Sequence, residues 1–275
     1  MKNILFPTDF SDNAWSALVY TLKLYMQDEC IFYFLNSTNI GTSISTNLSS
    51  SLMLTISQKA KEELIKLKEH AEISNANANH SFRVILRSDR LEDAISFAVK
   101  KYNIEMVVMG TKGATGSKKI FFGSNTVKVI NKMRLCSILV VPEEYDFVTL
   151  KQIAFATGFS RDYVKKELKP LIELASSFNS KIRVIHIEIN KKLNINQKYN
   201  MEKLRNHLVD YEYSFHMLPN NAKKATEINT FIEEFKIDML TMVYYKHSLM
   251  EIIIKEPVIK EIGCHPIVPL LVIPE

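Results

Sequence analysis

Along the first half of the chain, short blocks of consecutive apolar residues alternate with longer stretches in which apolar residues recur every three or four positions. Such blocks suit strands buried on both faces, and the recurring stretches are amphipathic helices. The blocks are Lys2 to Pro7, Cys30 to Leu35, Phe82 to Leu86, Glu105 to Met109 and Ser137 to Pro142. Trp15, Leu18, Val19, Leu22 and Tyr25 repeat at helical spacing, which predicts a first helix capped by Ser11 or Asp12. Further helices are predicted over Leu52 to Ala71, Leu91 to Tyr102 and Ser124 to Met133. Asn36 to Ser51, dominated by Ser, Thr and Asn, reads as a loop, either a lid over a ligand or a plain connector. Strands alternating with helices imply a parallel sheet covered on both faces.

The pattern then starts again. Ile4-Leu5-Phe6-Pro7-Thr8-Asp9-Phe10-Ser11 aligns with Ile153-Ala154-Phe155-Ala156-Thr157-Gly158-Phe159-Ser160, and Ile104-Glu105-Met106-Val107 aligns with Ile237-Asp238-Met239-Leu240. Ser137 to Pro142 aligns with Pro269 to Pro274. A repeat of roughly 140 residues is two copies of one domain, since solenoid repeats run at ~20–50 residues. The expectation is an α/β protein of two tandem doubly wound domains, 1–147 and 148–275, each a five-stranded parallel open sheet with helices on both faces. The junction falls at about Glu144 to Leu150.

Composition narrows the functional classes. Of 275 residues, 47% are hydrophobic and 24% charged, the balance of a globular protein. The net charge of +5 is spread over both halves, which argues against a nucleic-acid-binding arm. No apolar run reaches the ~18 residues of a membrane span, and the first strand begins at Lys2 without a signal-peptide core, so a cytoplasmic location is expected. Cys30, Cys136 and Cys264 are far apart in apolar surroundings and read as buried free thiols. The seven histidines lack metal-ligand spacing, and no metal site is expected. His186, inside Val184-Ile185-His186-Ile187, reads as a buried, hydrogen-bonded core residue rather than a catalytic one.

Four of the seven glycines fall between Gly110 and Gly123. Glycine weakens regular elements, so clustering in a glycine-poor chain marks backbone that turns tightly or approaches something closely. An apolar strand leads in and a helix beginning at Ser124-Asn125-Thr126 leads out; strand, glycine loop and helix N-terminus together present free N–H groups to a phosphate. The motif is neither G-x-x-x-x-G-K-[ST] nor G-x-G-x-x-G. Glycines serving only a hairpin turn are the rival reading. Its spacing, Gly110-x2-Gly113-x9-Gly123-Ser124, resembles the ATP-binding signature of the universal stress protein family. With the repeat, the resemblance covers essentially the whole chain, as a tandem member.

That resemblance implies a Rossmann-like fold holding ATP, or ADP or AMP, with or without Mg2+. Asp9 would contact base or ribose, with Pro7 and Thr8 beside it, and the Leu35 backbone would meet adenine. Gly110, Gly113, Gly123, Ser124 and Asn125 would form the ribose and phosphate cradle, with Met109, Thr111, Lys112 and Thr126 as further residues of the binding site. Independently of family, ligands of open sheets sit beyond the strands' carboxyl ends, where a carboxylate such as Asp9 accepts from ribose hydroxyls or an amino group. Asp9 as a helix cap is a compatible alternative. Lys112, Lys118 and Lys119 either neutralise phosphate or are simply solvated, and Met106 and Met109 read as core packing rather than ligand contacts. The resemblance also implies that Ile138 to Val141 and Leu270 to Ile273 pair as an internal pseudo-dimer. A homodimer and an unidentified protein partner are further expectations; nucleic acid and membrane are not.

The second half departs from the signature. Asp9 is replaced by Gly158, Pro7 by Ala156, and Gly110 to Gly113 by Val243-Tyr244-Tyr245-Lys246; Ser248 to Glu256 lacks glycine and adds Glu251 and Glu256, which would repel phosphate. One nucleotide in the first domain, serving a stress-response regulatory role, is the leading expectation. A slow ATPase or phosphotransferase, or an interaction module that binds no nucleotide, are the alternatives. Efficient catalysis lacks a second acidic residue, a histidine base or an arginine finger beside the loop.

Overall fold

The computed structural model describes residues 1–39, 50–75, 77–111, 123–143, 145–187, 192–219, 224–245 and 267–275. The first half runs β1 (Lys2–Pro7), α1 (Asp12–Leu24), β2 (Cys30–Ser37), α2 (Ser50–Ser74), β3 (His80–Arg87), α3 (Leu91–Tyr102), β4 (Met106–Gly110), α4 (Ser124–Lys132) and β5 (Ser137–Val141). The second runs β6 (Gln152–Ala156), α5 (Lys165–Phe178), β7 (Lys181–Ile187), α6 (Ile195–Leu208), β8 (Tyr213–Leu218), α7 (Lys224–Phe235), β9 (Met239–Tyr244) and β10 (Leu270–Pro274).

All ten strands form one sheet in the order β3-β2-β1-β4-β5-β10-β9-β6-β7-β8. Each half is parallel throughout, and its order mirrors the other's. The two last strands meet antiparallel, Leu270 opposite Val140, Leu271 opposite Leu139 and Val272 opposite Ile138. Each of these strands would otherwise present a row of unpaired N–H and C=O groups, and the junction removes both edges.

Alternate strand residues feed two cores. Ile4, Phe6, Phe32 and Phe34 pack against Leu18 and Tyr20 of α1 and Leu64 of α2. Leu5, Tyr33, Leu35 and Val107 pack on the other face against Ile95 of α3 and Ile130 of α4. Both cores run through the β5–β10 junction, because Ile138 and Val272 belong to one and Leu139 and Leu271 to the other. β2 and β3 exceed their predicted lengths, since the ladder continues past Leu35 to pair Ser37 with Arg87. α1 begins at Asp12, with the Ser11 hydroxyl accepting from the Ala14 N–H at 3.3 Å, which decides between the two predicted caps. Cys30 and Cys136 are buried free thiols, and burial pushes each up to about 12. Cys264 lies outside the described residues. Among those residues no helix is long and apolar enough to cross a membrane.

Candidate functional site: a crevice at the carboxyl ends of β1, β2 and β4

Chain reversal at the boundary between β1 and β4 opens a gap at the sheet's carboxyl edge, since α1 leaves toward one face and α3 and α4 lie on the other. A crevice of about 770 Å³ occupies it. Pro7, Thr8 and Asp9 form one wall, Met109 and Gly110 the floor, and Gly123 to Thr126 the opposite wall.

The β1 end is held by local bonds. The Thr8 N–H donates to the Leu35 carbonyl at 2.8 Å. The Asn36 amide donates to the Thr8 carbonyl, also at 2.8 Å. Phe10 has φ 62°, a left-handed conformation uncommon for a bulky residue. It is supported by the Thr8 hydroxyl, which accepts from the Phe10 N–H at 3.0 Å. The exposed Asp9 carboxylate accepts from the Ser11 N–H at 3.2 Å, so it braces the turn rather than capping α1.

The β4 end is crowded at Gly110 by the Asn13 side chain. A Cβ on Gly110 would lie 2.5 Å from the Asn13 side-chain nitrogen and 2.7 Å from its Cγ, because α1 packs directly on that backbone. Two further bonds tie α4 to this strand end: the Thr126 hydroxyl donates to the Gly110 carbonyl at 3.1 Å, and the Gly123 N–H donates to the Thr111 carbonyl. Among the described residues no side chain caps α4, whose first helical bond runs from the Val127 N–H to the Gly123 carbonyl. The N–H groups of Ser124, Asn125 and Thr126 therefore have no intrahelical acceptor, and these residues line the crevice with the positive end of the helix dipole. Arg90 and Lys128 add cations to the wall. Glu92 is also there, 3.0 Å from Lys132; a backbone hydrogen bond within its own residue, and then Lys132, hold its carboxyl below the usual range.

Nine of the thirteen expected site residues thus surround one crevice. Thr111 is buried behind it, its N–H donating to the Val141 carbonyl. Leu35 is fully buried with its carbonyl taken by Thr8, and the wall at that level is made by Asn36, Ser37 and Asn39 instead. Lys112 and Gly113, with Lys118 and Lys119, lie outside the described residues, as does most of the Asn36 to Ser51 loop. Met106 is core: its sulfur accepts from the Tyr25 hydroxyl at 3.4 Å. Sequence reasoning placed the strand end Leu35-Asn36 at the crevice but chose the Leu35 backbone as the contact, and it missed Arg90 and Lys128. Asn36 is signalled only as the first polar residue after a buried strand, and the two cations by their place in the first turns of helices.

In the second half the same strand ends are filled. The registers place Val243 where Gly110 stands and His186 where Asn36 stands. The His186 imidazole bonds the Thr157 carbonyl through Nδ1 at 2.9 Å, repeating the Asn36–Thr8 bond, so it is the buried core histidine that was expected. The Phe159 ring stacks on it at 5.0 Å. From α6, Gln197 donates to the Gly158 carbonyl and Asn200 to the Phe159 carbonyl. The Tyr245 hydroxyl bonds Ser160 at 2.6 Å, and Tyr244 donates to Asn131 of α4 at 2.7 Å. Ser248 to Glu256 lies outside the described residues.

These features define a doubly wound α/β protein whose first half carries an anion-directed crevice at its switch point. The model of the universal stress protein family matches residues 1–142, and the chain belongs to that family. It is 30% identical over 149 residues to universal stress protein MJ0531 of Methanocaldococcus jannaschii, covering 51% of this chain and 81% of that protein. Over its full length it is similar in fold to a universal stress protein of Archaeoglobus fulgidus, with a TM-score of 0.72 at 20% identity, covering 99% of this chain and 96% of that one. A putative universal stress protein of Pseudomonas aeruginosa gives a TM-score of 0.59 at 12% identity, covering 100% and 93%.

Proposed function

We propose that the chain is a cytoplasmic regulatory protein of the stress response, built from units 1–147 and 148–275, of which only the first holds an adenine nucleotide. The observation that carries this is the N-terminus of α4, which no side chain among the described residues caps, facing Asp9 across a crevice of about 770 Å³. The phosphates lie against the N–H groups of Ser124 and Asn125, with Lys128 and Arg90 supplying charge. Asp9 accepts from the ribose or the base amino group, and the polar groups of Asn36 and Ser37 take the place first expected for the Leu35 backbone. Mg2+, where it accompanies ATP, is carried in on the phosphates.

Mass analysis of the small molecule released on denaturing the purified protein tests this, together with titration calorimetry using ATP and magnesium. One adenine nucleotide per chain is the expected result, lost in a Gly123→Val variant that unfolds at an unchanged temperature. A wild-type protein that neither carries nor takes up nucleotide would refute the proposal.

A further inference from the structure

A second hollow, of about 320 Å³, opens on the opposite face of the same sheet edge, between α1 and α2. Its floor is Phe6, Phe34 and Val108, and its sides are Trp15 of α1 and Leu67 and His70 of α2. The His70 and Trp15 rings lie 5.8 Å apart. At the mouth, Lys66 is paired with Glu63 at 3.0 Å, so the rim offers no uncompensated charge from that pair.

The second half shows what this space accepts. Phe159 and Phe10 share one backbone conformation, with φ 52° and 62° and an N–H bonded at 3.0 Å to the preceding threonine hydroxyl in both. Yet Phe159 is 1% exposed, stacked on His186 and tilted against Phe215, whereas Phe10 is 36% exposed at the hollow's mouth. A second ring follows: Tyr163 meets Phe155, the counterpart of Phe6, edge-on at 5.4 Å. It reaches there because α5 begins at Lys165, whereas α1 begins immediately after Ser11, the counterpart of Ser160. Where the second half inserts two aromatic rings, the first leaves a cavity with aromatic walls.

We propose that this hollow, which shares Pro7, Thr8, Ala14, Met109 and Gly110 with the neighbouring crevice, is a ligand site for an uncharged aromatic compound of one or two rings. The size agrees, because a dry cavity of about 150 Å³ accommodates benzene. The chemistry agrees as well: ring pairs prefer the offset and edge-on contacts that Phe6, Phe34 and Trp15 offer, and the Thr8 and Ser11 hydroxyls at the mouth accept from a phenolic or amine group.

Trp15 is the chain's one tryptophan and stands in the wall, so its emission reports occupancy. The probe is phenol, with cyclohexanol as the non-aromatic control, on the intact chain without added nucleotide. Phenol is expected to change Trp15 emission saturably with half-saturation below about 1 mM, at least about tenfold tighter than cyclohexanol. Leu67→Phe, which fills the hollow, is expected to weaken phenol binding about tenfold while leaving thermal unfolding unchanged or raised. Phe10→Ala removes only a ring at the mouth and should bind phenol at least as well as wild type, which gives a second test should Leu67→Phe fail to fold. Absence of a saturable response to phenol, equal affinity for cyclohexanol, undiminished binding by folded Leu67→Phe, or loss of binding in Phe10→Ala would each overturn the proposal.

Discussion

At the end of β1 the chain reads Pro7-Thr8-Asp9-Phe10-Ser11, and at the end of β6 it reads Ala156-Thr157-Gly158-Phe159-Ser160. The two turns share three bonds: the threonine N–H continues the ladder, its hydroxyl holds the next-but-one N–H, and its carbonyl takes a side chain from the neighbouring strand. Their surroundings differ. In the first half two spaces stay open beside the turn; in the second, α6 reaches the loop carbonyls through Gln197 and Asn200, and rings fill the space beside the strand ends. The comparison teaches that the turn conformation is a local property, whereas an open site depends on which residues the flanking elements bring to it.

The largest expected effect comes from giving the first half a residue of the second. Gly110→Val drives a side chain into Asn13 and should destabilise the protein by about 3 kcal/mol, read as a fall in thermal midpoint, with loss of nucleotide binding. Combining it with Asn13→Gly should recover part of that loss; strict additivity of the two changes would show that the close approach is not the cause.

Loosening the second half is the reciprocal experiment. Asn200→Ala leaves the buried Phe159 carbonyl without its donor and should cost about 2 kcal/mol in chemical denaturation. It should confer no second nucleotide equivalent in calorimetry, since Val243 still occupies the glycine position. Next in size, Asp9→Ala should weaken nucleotide binding about tenfold, about 1.4 kcal/mol, while moving the unfolding midpoint little, because the carboxylate is exposed and its bond to the Ser11 N–H is a local one. Unchanged affinity would remove Asp9 from the site.

The smallest effect concerns Glu92, whose bond to Lys132 joins α3 to α4 at the crevice. Its folded carboxyl titrates below the ordinary value, so the stabilisation is present above the unfolded carboxylate range near about pH 4.3 and is lost as pH falls through the folded value. Lys132→Met should therefore cost about 0.5 kcal/mol at neutral pH and nothing once Glu92 is protonated in both proteins, measured as the difference between their denaturation curves across pH. A pH-independent difference would assign the loss to packing.

Much was legible in the residues alone, for identifiable reasons. Parallel strands buried on both faces have no polar side and so appear as unbroken apolar blocks such as Ile4 to Phe6, and amphipathic helices declare their period in Leu18 and Leu22. The glycine cluster stood out because glycine is scarce elsewhere in the chain. The repeat followed from aligning Thr8-x-Phe10 with Thr157-x-Phe159. What the residues did not disclose was anything decided by elements distant in sequence. That Asn36 rather than Leu35 reaches the crevice depends on how far the ladder with β1 extends. That Arg90 and Lys128 join its wall depends on two helix starts converging on one strand end. That Phe159 is sealed while Phe10 stands at an open mouth depends on where α6 and α5 begin. Local sequence sets backbone conformation through bonds a few residues long, but the space left beside that backbone is determined by side chains that only folding brings together.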